Sequence, residues 1–102
     1  MIVYNTTFHV ETEIQDEFVE YMLQRFIPAC TKSGLLTSPR LARVYGGEED
    51  EGVSFAIEFT AGDLQTLEKW NTEESSLIFA PMFDKFKEKI AGFSTILQTI
   101  KY

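Results

Sequence analysis

The hydrophobic period of this chain switches between two residues and about 3.6 in a single order, and that order narrows the fold more than any other feature. Residues 2–10 alternate and are rich in β-branched and aromatic types, which predicts a strand. One face carries Ile2, Tyr4, Thr6, Phe8 and Val10, and the other Val3, Asn5, Thr7 and His9. From about Glu13 to Ala29 the period lengthens, and Ile14, Phe18, Met22, Phe26 and Ala29 fall at helical spacing. Thr12 is the expected N-cap, with Glu13, Asp16 and Glu17 in the first turn, where the helix dipole favours anions. Lys32, Ser33 and Gly34 are the expected stop.

Pro39 precedes a second strand, expected over Arg40 to Tyr45. The polar run from Gly46 to Gly52 is a turn, and Val53 to Thr60 alternates again, so strands two and three form a hairpin. Val53, Phe55, Ile57 and Phe59 mark one face of strand three; Ser54, Ala56, Glu58 and Thr60 mark the other. Asp63 caps a short helix that carries Leu64, Leu67 and Trp70. An interior proline costs about 3 kcal/mol, so Pro81 predicts a break near Asn71 to Ser76. Phe79, Met82, Phe83, Phe86 and Ile90 then form a second apolar stripe, Gly92 is read as its end, and Phe93 to Tyr102 as the last strand.

The resulting order is β-α-β-β-α-β, an α+β arrangement of the ferredoxin-like, split βαβ type. It predicts one domain over residues 1–102. Strands one and three lie at the centre of an antiparallel sheet, strands two and four at its edges, and the helices cover one face through right-handed crossovers. If strands one and three pair antiparallel, His9 lies near Ser54 and Asn5 near Glu58.

Helices on one side leave the other sheet face open. On the central strands that face is mixed and small: Val3, Asn5, Thr7 and His9 beside Ser54, Ala56, Glu58 and Thr60. The edge strands add apolar area whichever parity they take. Burying it would stabilise by roughly 25 cal/mol per Å². A face-to-face homodimer is therefore expected, against the alternative of a solvated face, which antiparallel sheets tolerate.

Charge removes several classes of partner. Sixteen acidic residues against nine basic ones give a net charge of −7, the reverse of the basic face that binds nucleic acid or anionic lipid. The single cysteine, Cys30, allows neither an internal disulfide nor a cysteine-based zinc site, which fits a reducing cytoplasm. No basic-then-apolar leader opens the sequence and no run approaches a membrane span, so a soluble cytoplasmic protein is expected.

The element order, the length and the mixed open face resemble the dimeric α+β barrel superfamily, which includes small antibiotic-biosynthesis-type monooxygenases, haem-degrading enzymes, stress-responsive barrel proteins and lactone isomerases. Three runs carry a closer resemblance, to a short bacterial family of unknown function. They are Ile2-Val3-Tyr4-Asn5-Thr6-Thr7-Phe8-His9-Val10, Ser33-Gly34-Leu35-Leu36-Thr37-Ser38-Pro39-Arg40 and Lys85-Phe86-Lys87-Glu88-Lys89-Ile90-Ala91-Gly92-Phe93. From the haem-degrading members the resemblance implies site roles for an asparagine on the first strand, here Asn5, and a tryptophan on the second helical segment, here Trp70. Their iron-ligating histidine has no counterpart, because the stretch after Trp70 reads Phe79-Ala80-Pro81-Met82-Phe83. No cofactor is expected.

Among the remaining candidates, His9 is the only histidine, the residue type best suited to general-base work at neutral pH. As a base it would need Ser54 or Glu58 to orient it. Asn5 is a poor strand former at mid-strand, where its amide could serve a ligand carbonyl or a bound oxygen species. Trp70 could wall a pocket beneath the helical break; the bland alternative is an ordinary core tryptophan. Glu48, Glu49, Asp50 and Glu51 lack the alternation and fixed glycine of a calcium loop. Lys85, Lys87 and Lys89 interleave with Asp84 and Glu88 as a salted helix face. Cys30 sits near a helix C-terminus, where the dipole works against a thiolate.

Three functions follow, in order of preference. The first is a homodimer that binds a small, largely apolar molecule between its sheets, with Asn5, Thr7, His9, Ser54 and Glu58 as polar contacts. The second is a cofactor-independent monooxygenase or isomerase, in which Asn5 and His9 position or deprotonate substrate and Trp70 flanks the pocket. The third is a structural or regulatory partner-binding module, with no cavity.

Overall fold

The computed structural model describes residues 1–45 and 52–101; the acidic turn at Glu48–Glu51 and the final residue, Tyr102, lie outside the described residues. Strand β1 (Ile2–Val10) occupies the middle of the sheet. It pairs antiparallel with β3 (Val53–Ala61) on one side and with β4 (Ile90–Gln98) on the other. Strand β2 (Thr37–Val44) pairs antiparallel with β3, giving the order β2-β3-β1-β4. The fold is ferredoxin-like α+β.

The register sorts the side chains. His9 is opposite Ser54 and Asn5 is opposite Glu58. The apolar set on β3 is buried, as are Ile2, Thr6, Phe8 and Val10 on β1. Their rings continue into the helices: Phe18 packs against Phe8, Phe55 and Phe86 at centroid distances of 5.5, 5.7 and 5.7 Å.

Two helical arms cover this face. The first runs from a 3-10 turn at Thr12–Ile14 through α1 (Gln15–Tyr21), a π-helical turn at Met22–Phe26, and α2 (Ile27–Thr31). The second comprises α3 (Leu64–Trp70), a π-helical turn at Asn71–Ser75, α4 (Ser76–Phe86) and a 3-10 turn at Lys87–Lys89. Lys85 Nζ and Lys89 Nζ join the arms through Glu17 and Glu13 at 3.2 and 3.8 Å, so the lysine face is shared between arms.

Both π turns have a source in the sequence. The buried stripe of the first arm is Ile14, Phe18, Met22, Phe26 and Cys30, strictly four residues apart. On a straight α-helix such a stripe drifts by about 40° per step. One wider i→i+5 turn returns it toward the sheet. The second arm has the same spacing, with Trp70, Met82 and Phe86 buried and Glu74 and Ile78 half-buried between them.

Several expectations are corrected. The second arm does not break near Asn71; it widens there and continues. Pro81 is tolerated because it lies on the outer face, where the carbonyl left without a donor, on exposed Leu77, can be solvated. Gly92 ends no helix. The turn out of the arm is at Lys87, with φ +53°, and β4 begins at Ile90. Gly92 lies inside β4 against the Phe8 ring; a Cβ built there would stand 2.7 Å from Phe8 Cδ1. Thr12 makes no capping hydrogen bond, since the arm opens as a 3-10 turn. Cys30 replaces Ala29 as the last buried residue of the first stripe. Strand β2 begins at Thr37, before Pro39, with an irregular register between Thr37 and Arg40; an edge strand accepts a proline there. Asp63 is the cap expected of it, its Oδ1 accepting from the Thr66 N–H at 2.8 Å.

Candidate ligand-binding site

The open sheet face brings together five of the six residues singled out in the sequence. Asn5, Thr7 and His9 project from β1 beside Ser54 and Glu58 of β3. Their partners are local. Asn5 Nδ2 donates to Thr7 Oγ1 at 3.2 Å. Glu58 Oε1 pairs with Arg40 Nε of β2 at 3.1 Å. His9 Nδ1 contacts Ser54 Oγ at 3.3 Å, and its ring lies over Gly52, where a Cβ would meet Nε2 at 2.8 Å. Glu58 is thus turned toward Arg40 and opposite Asn5, so the contacts of His9 are with Ser54 and the chain at Gly52. Antiparallel pairing places Ala91, Phe93, Thr95 and Leu97 of β4 on this same face. Phe93 and Leu97 are 65% and 48% exposed, so substantial apolar area faces outward.

Trp70 is on the other side of the sheet, in the helical layer. It is fully buried and its ring packs against Tyr4 at 5.6 Å. The sheet separates it from Asn5 and His9, so the six residues do not form one site.

Two clefts open on this helical side, between the second arm and the β1–β4 half of the sheet. One, of about 270 Å³, is lined by Tyr4, Leu64, Leu67, Glu68, Asn71, Ser94 and Ile96. Its neighbour, of about 280 Å³, is lined by Tyr4, Thr6, Phe8, Ser75, Phe79, Phe83, Gly92, Phe93 and Ser94. They share Tyr4 and Ser94. At this junction Ser94 Oγ pairs with Thr6 Oγ1 at 2.9 Å and with Tyr4 Oη at 3.1 Å. Apart from this three-hydroxyl cluster the lining is mostly apolar, with Glu68, Asn71 and Ser75 as its other polar residues; apolar walls with a few polar atoms for orientation are the usual build of a small-molecule site.

Sequence reasoning missed Tyr4, Thr6 and Ser94. Thr6 was visible as the one hydroxyl-bearing β-branched residue inside the buried set of β1. Ser94 required the parity of β4, which the sequence alone left open.

Acid–base chemistry in this layer is limited. The Cys30 thiol is pushed up to about 12, by burial first and by the Glu74 carboxylate second. Burial and the neighbouring carboxylate thus both work against a thiolate, the direction expected for it. A haem-type group would find no histidine here, since His9 is across the sheet. Among the described residues, no three His, Cys, Asp or Glu side chains converge as a metal site. No helix among the described residues is long and apolar enough to cross a membrane.

Residues 1–100 match the family model described as Domain of unknown function (DUF4286). The chain belongs to that family. No curated protein matches it in sequence. Solved structures match the DUF4286 chain along nearly its whole length. An ethyl tert-butyl ether d (EthD) family protein from Bacillus halodurans superposes with a TM-score of 0.71 at 17% identity, covering 98% of this chain and 100% of that one. A dimeric ferredoxin-like protein from an uncultured marine organism gives 0.69 at 16% identity, covering 99% and 96%. An antibiotic biosynthesis monooxygenase gives 0.65 at 11% identity, covering 99% and 100%. At these identities the likeness is one of fold.

Proposed function

We propose that this DUF4286 chain is a homodimeric protein that binds a small, largely apolar molecule in the cleft between each subunit's second helical arm and its sheet. The observation that carries this is the Tyr4–Ser94–Thr6 hydroxyl cluster at the meeting point of two apolar-walled clefts. The ligand is thereby moved from the inter-sheet space to the helical side. Asn5, Thr7, His9, Ser54 and Glu58 become the polar matching groups of the dimer interface.

The dimer is supported by area and by likeness. Four strands about 4.8 Å apart and about 30 Å long present on the order of 600 Å² per copy. Two copies together clear the roughly 1,000 Å² expected of a specific interface. A structural neighbour is described as dimeric, and Phe93 and Leu97 supply exposed apolar contacts.

Cofactor-independent monooxygenase or isomerase chemistry is the second reading, favoured by the His9–Ser54 contact and by the fold shared with an antibiotic biosynthesis monooxygenase. In that case His9→Ala abolishes turnover, whereas in a binder it leaves the cleft's affinity unchanged. The first reading is tested by native mass spectrometry of the protein purified from its host. The expected species is two subunits carrying a small molecule, and a Ser94→Phe dimer carrying none. A molecule retained at full occupancy after Ser94→Phe sinks the cleft.

A further inference from the structure

Among the described residues, one fully buried side-chain polar atom has no hydrogen-bond partner: the indole Nε1 of Trp70. Buried indole N–H groups nearly always find an acceptor, because leaving a donor dry and unpaired is costly. The ring packed on this indole is Tyr4, which with Ser94 is common to both clefts, while Trp70 itself lines neither. Tyr4 is only half-buried, and its hydroxyl is tethered by a neutral contact with exposed Ser94, which is a modest restraint.

Resting on the cleft reading above, we propose that Tyr4 is a movable partition. When a ligand turns it aside, the two clefts join into one and the Trp70 N–H becomes the donor that selects a ligand bearing a carbonyl-type acceptor. The ligand class is thereby an apolar, two-ring-sized molecule with a ketone- or quinone-like oxygen. The hydroxyl cluster holds Tyr4 in place while the cleft is empty. Trp70 then distinguishes the acceptor-bearing ligand from a hydrocarbon of the same shape, because only the former relieves an unpaired buried donor.

Benzophenone and diphenylmethane test this: they share two rings and a bridging carbon, and only the first carries an acceptor. Trp70 is the sole tryptophan, so a proton–nitrogen correlation spectrum contains one indole peak. Benzophenone is expected to move that peak downfield, and diphenylmethane to leave its hydrogen-bond shift unchanged. Calorimetric titration is expected to show about a tenfold preference for the ketone, the size of one hydrogen bond, and Trp70→Phe to abolish the preference while both still bind. Tyr4→Ala is expected to tighten benzophenone binding and keep the preference; it also serves if Trp70→Phe fails to fold. Equal binding of both probes with an unmoved indole peak overturns the Trp70 role and leaves the cleft standing. Unchanged or weaker benzophenone binding in Tyr4→Ala overturns the partition. Failure of both probes to bind the wild-type chain overturns the inferred ligand class and leaves the cleft to the Ser94→Phe test.

Discussion

The two faces of the sheet are built from the same strands and differ in almost every physical respect. The helical face is closed by stacked rings, with Phe8, Phe18, Phe55, Ile57 and Phe59 at 5% exposure or less. The open face alternates alanine, threonine and serine with a few large residues, and its polar groups bond to one another: Asn5 to Thr7, His9 to Ser54, Arg40 to Glu58. One face is specified by volume and the other by local polar pairing. Substitutions should therefore damage the fold from one side and association from the other.

The largest effect belongs to the closed face. Phe18→Ala removes a ring in contact with three others and should cost about 3–5 kcal/mol in denaturant unfolding, a large part of a small domain's stability. Phe93→Ala, the same change on the open face, should alter unfolding of the isolated subunit by no more than about 0.5 kcal/mol. Equal losses would erase the distinction.

Next is Leu97→Asp, which sets an acid among exposed apolar groups in a chain of charge −7. In the proposed dimer, losing about 1.5 kcal/mol of burial in each of two copies should weaken association on the order of a hundredfold. Sedimentation at micromolar concentration should show single folded subunits; an unchanged dimer would place the interface elsewhere.

Gly92→Ala should cost about 1–3 kcal/mol, because the new Cβ meets the Phe8 ring. Gly62→Ala, with open space around it, is the control, and should leave the melting temperature nearly unchanged.

The smallest effect is at Asp63. Hydrogen bonds from the Thr66 amide and hydroxyl hold its carboxyl below the usual carboxylate range. A depressed folded-state value contributes stability above the unfolded-state value, and that contribution is lost as pH falls through the folded one. Wild type and Asp63→Asn should thus differ in the slope of melting temperature against pH only on the acid side. A difference in slope appearing at neutral or alkaline pH would contradict that assignment.

How much of this was legible in the sequence follows the same division. Alternation in residues 2–10 and 53–60 was enough to set the strands, their central pairing and the facing of His9 with Ser54 and Asn5 with Glu58, because period two and antiparallel pairing leave little freedom. The helical arms are legible as stripes, but an interior proline signals a break more strongly than four-residue spacing signals a widened turn, and here the spacing prevails. The candidate site was legible only by half. Asn5, Thr7, His9, Ser54 and Glu58 share a face by parity alone. Trp70 faces the other way, as its place on a helix already implied once the helices were set on one face and Asn5 and His9 on the other. The Tyr4–Ser94 contact joins residues 90 positions apart. It depends on where β4 begins, and Gly92, a residue type typical of helix ends, lies inside that strand.

The central claim is that association and ligand binding lie on opposite faces and are separable. The direct measurement is a native mass spectrum of Leu97→Asp purified from its host. The expected result is a single subunit still carrying its small molecule. A lone subunit stripped of ligand, while the wild-type dimer retains it, would place the molecule between the sheets and contradict the account.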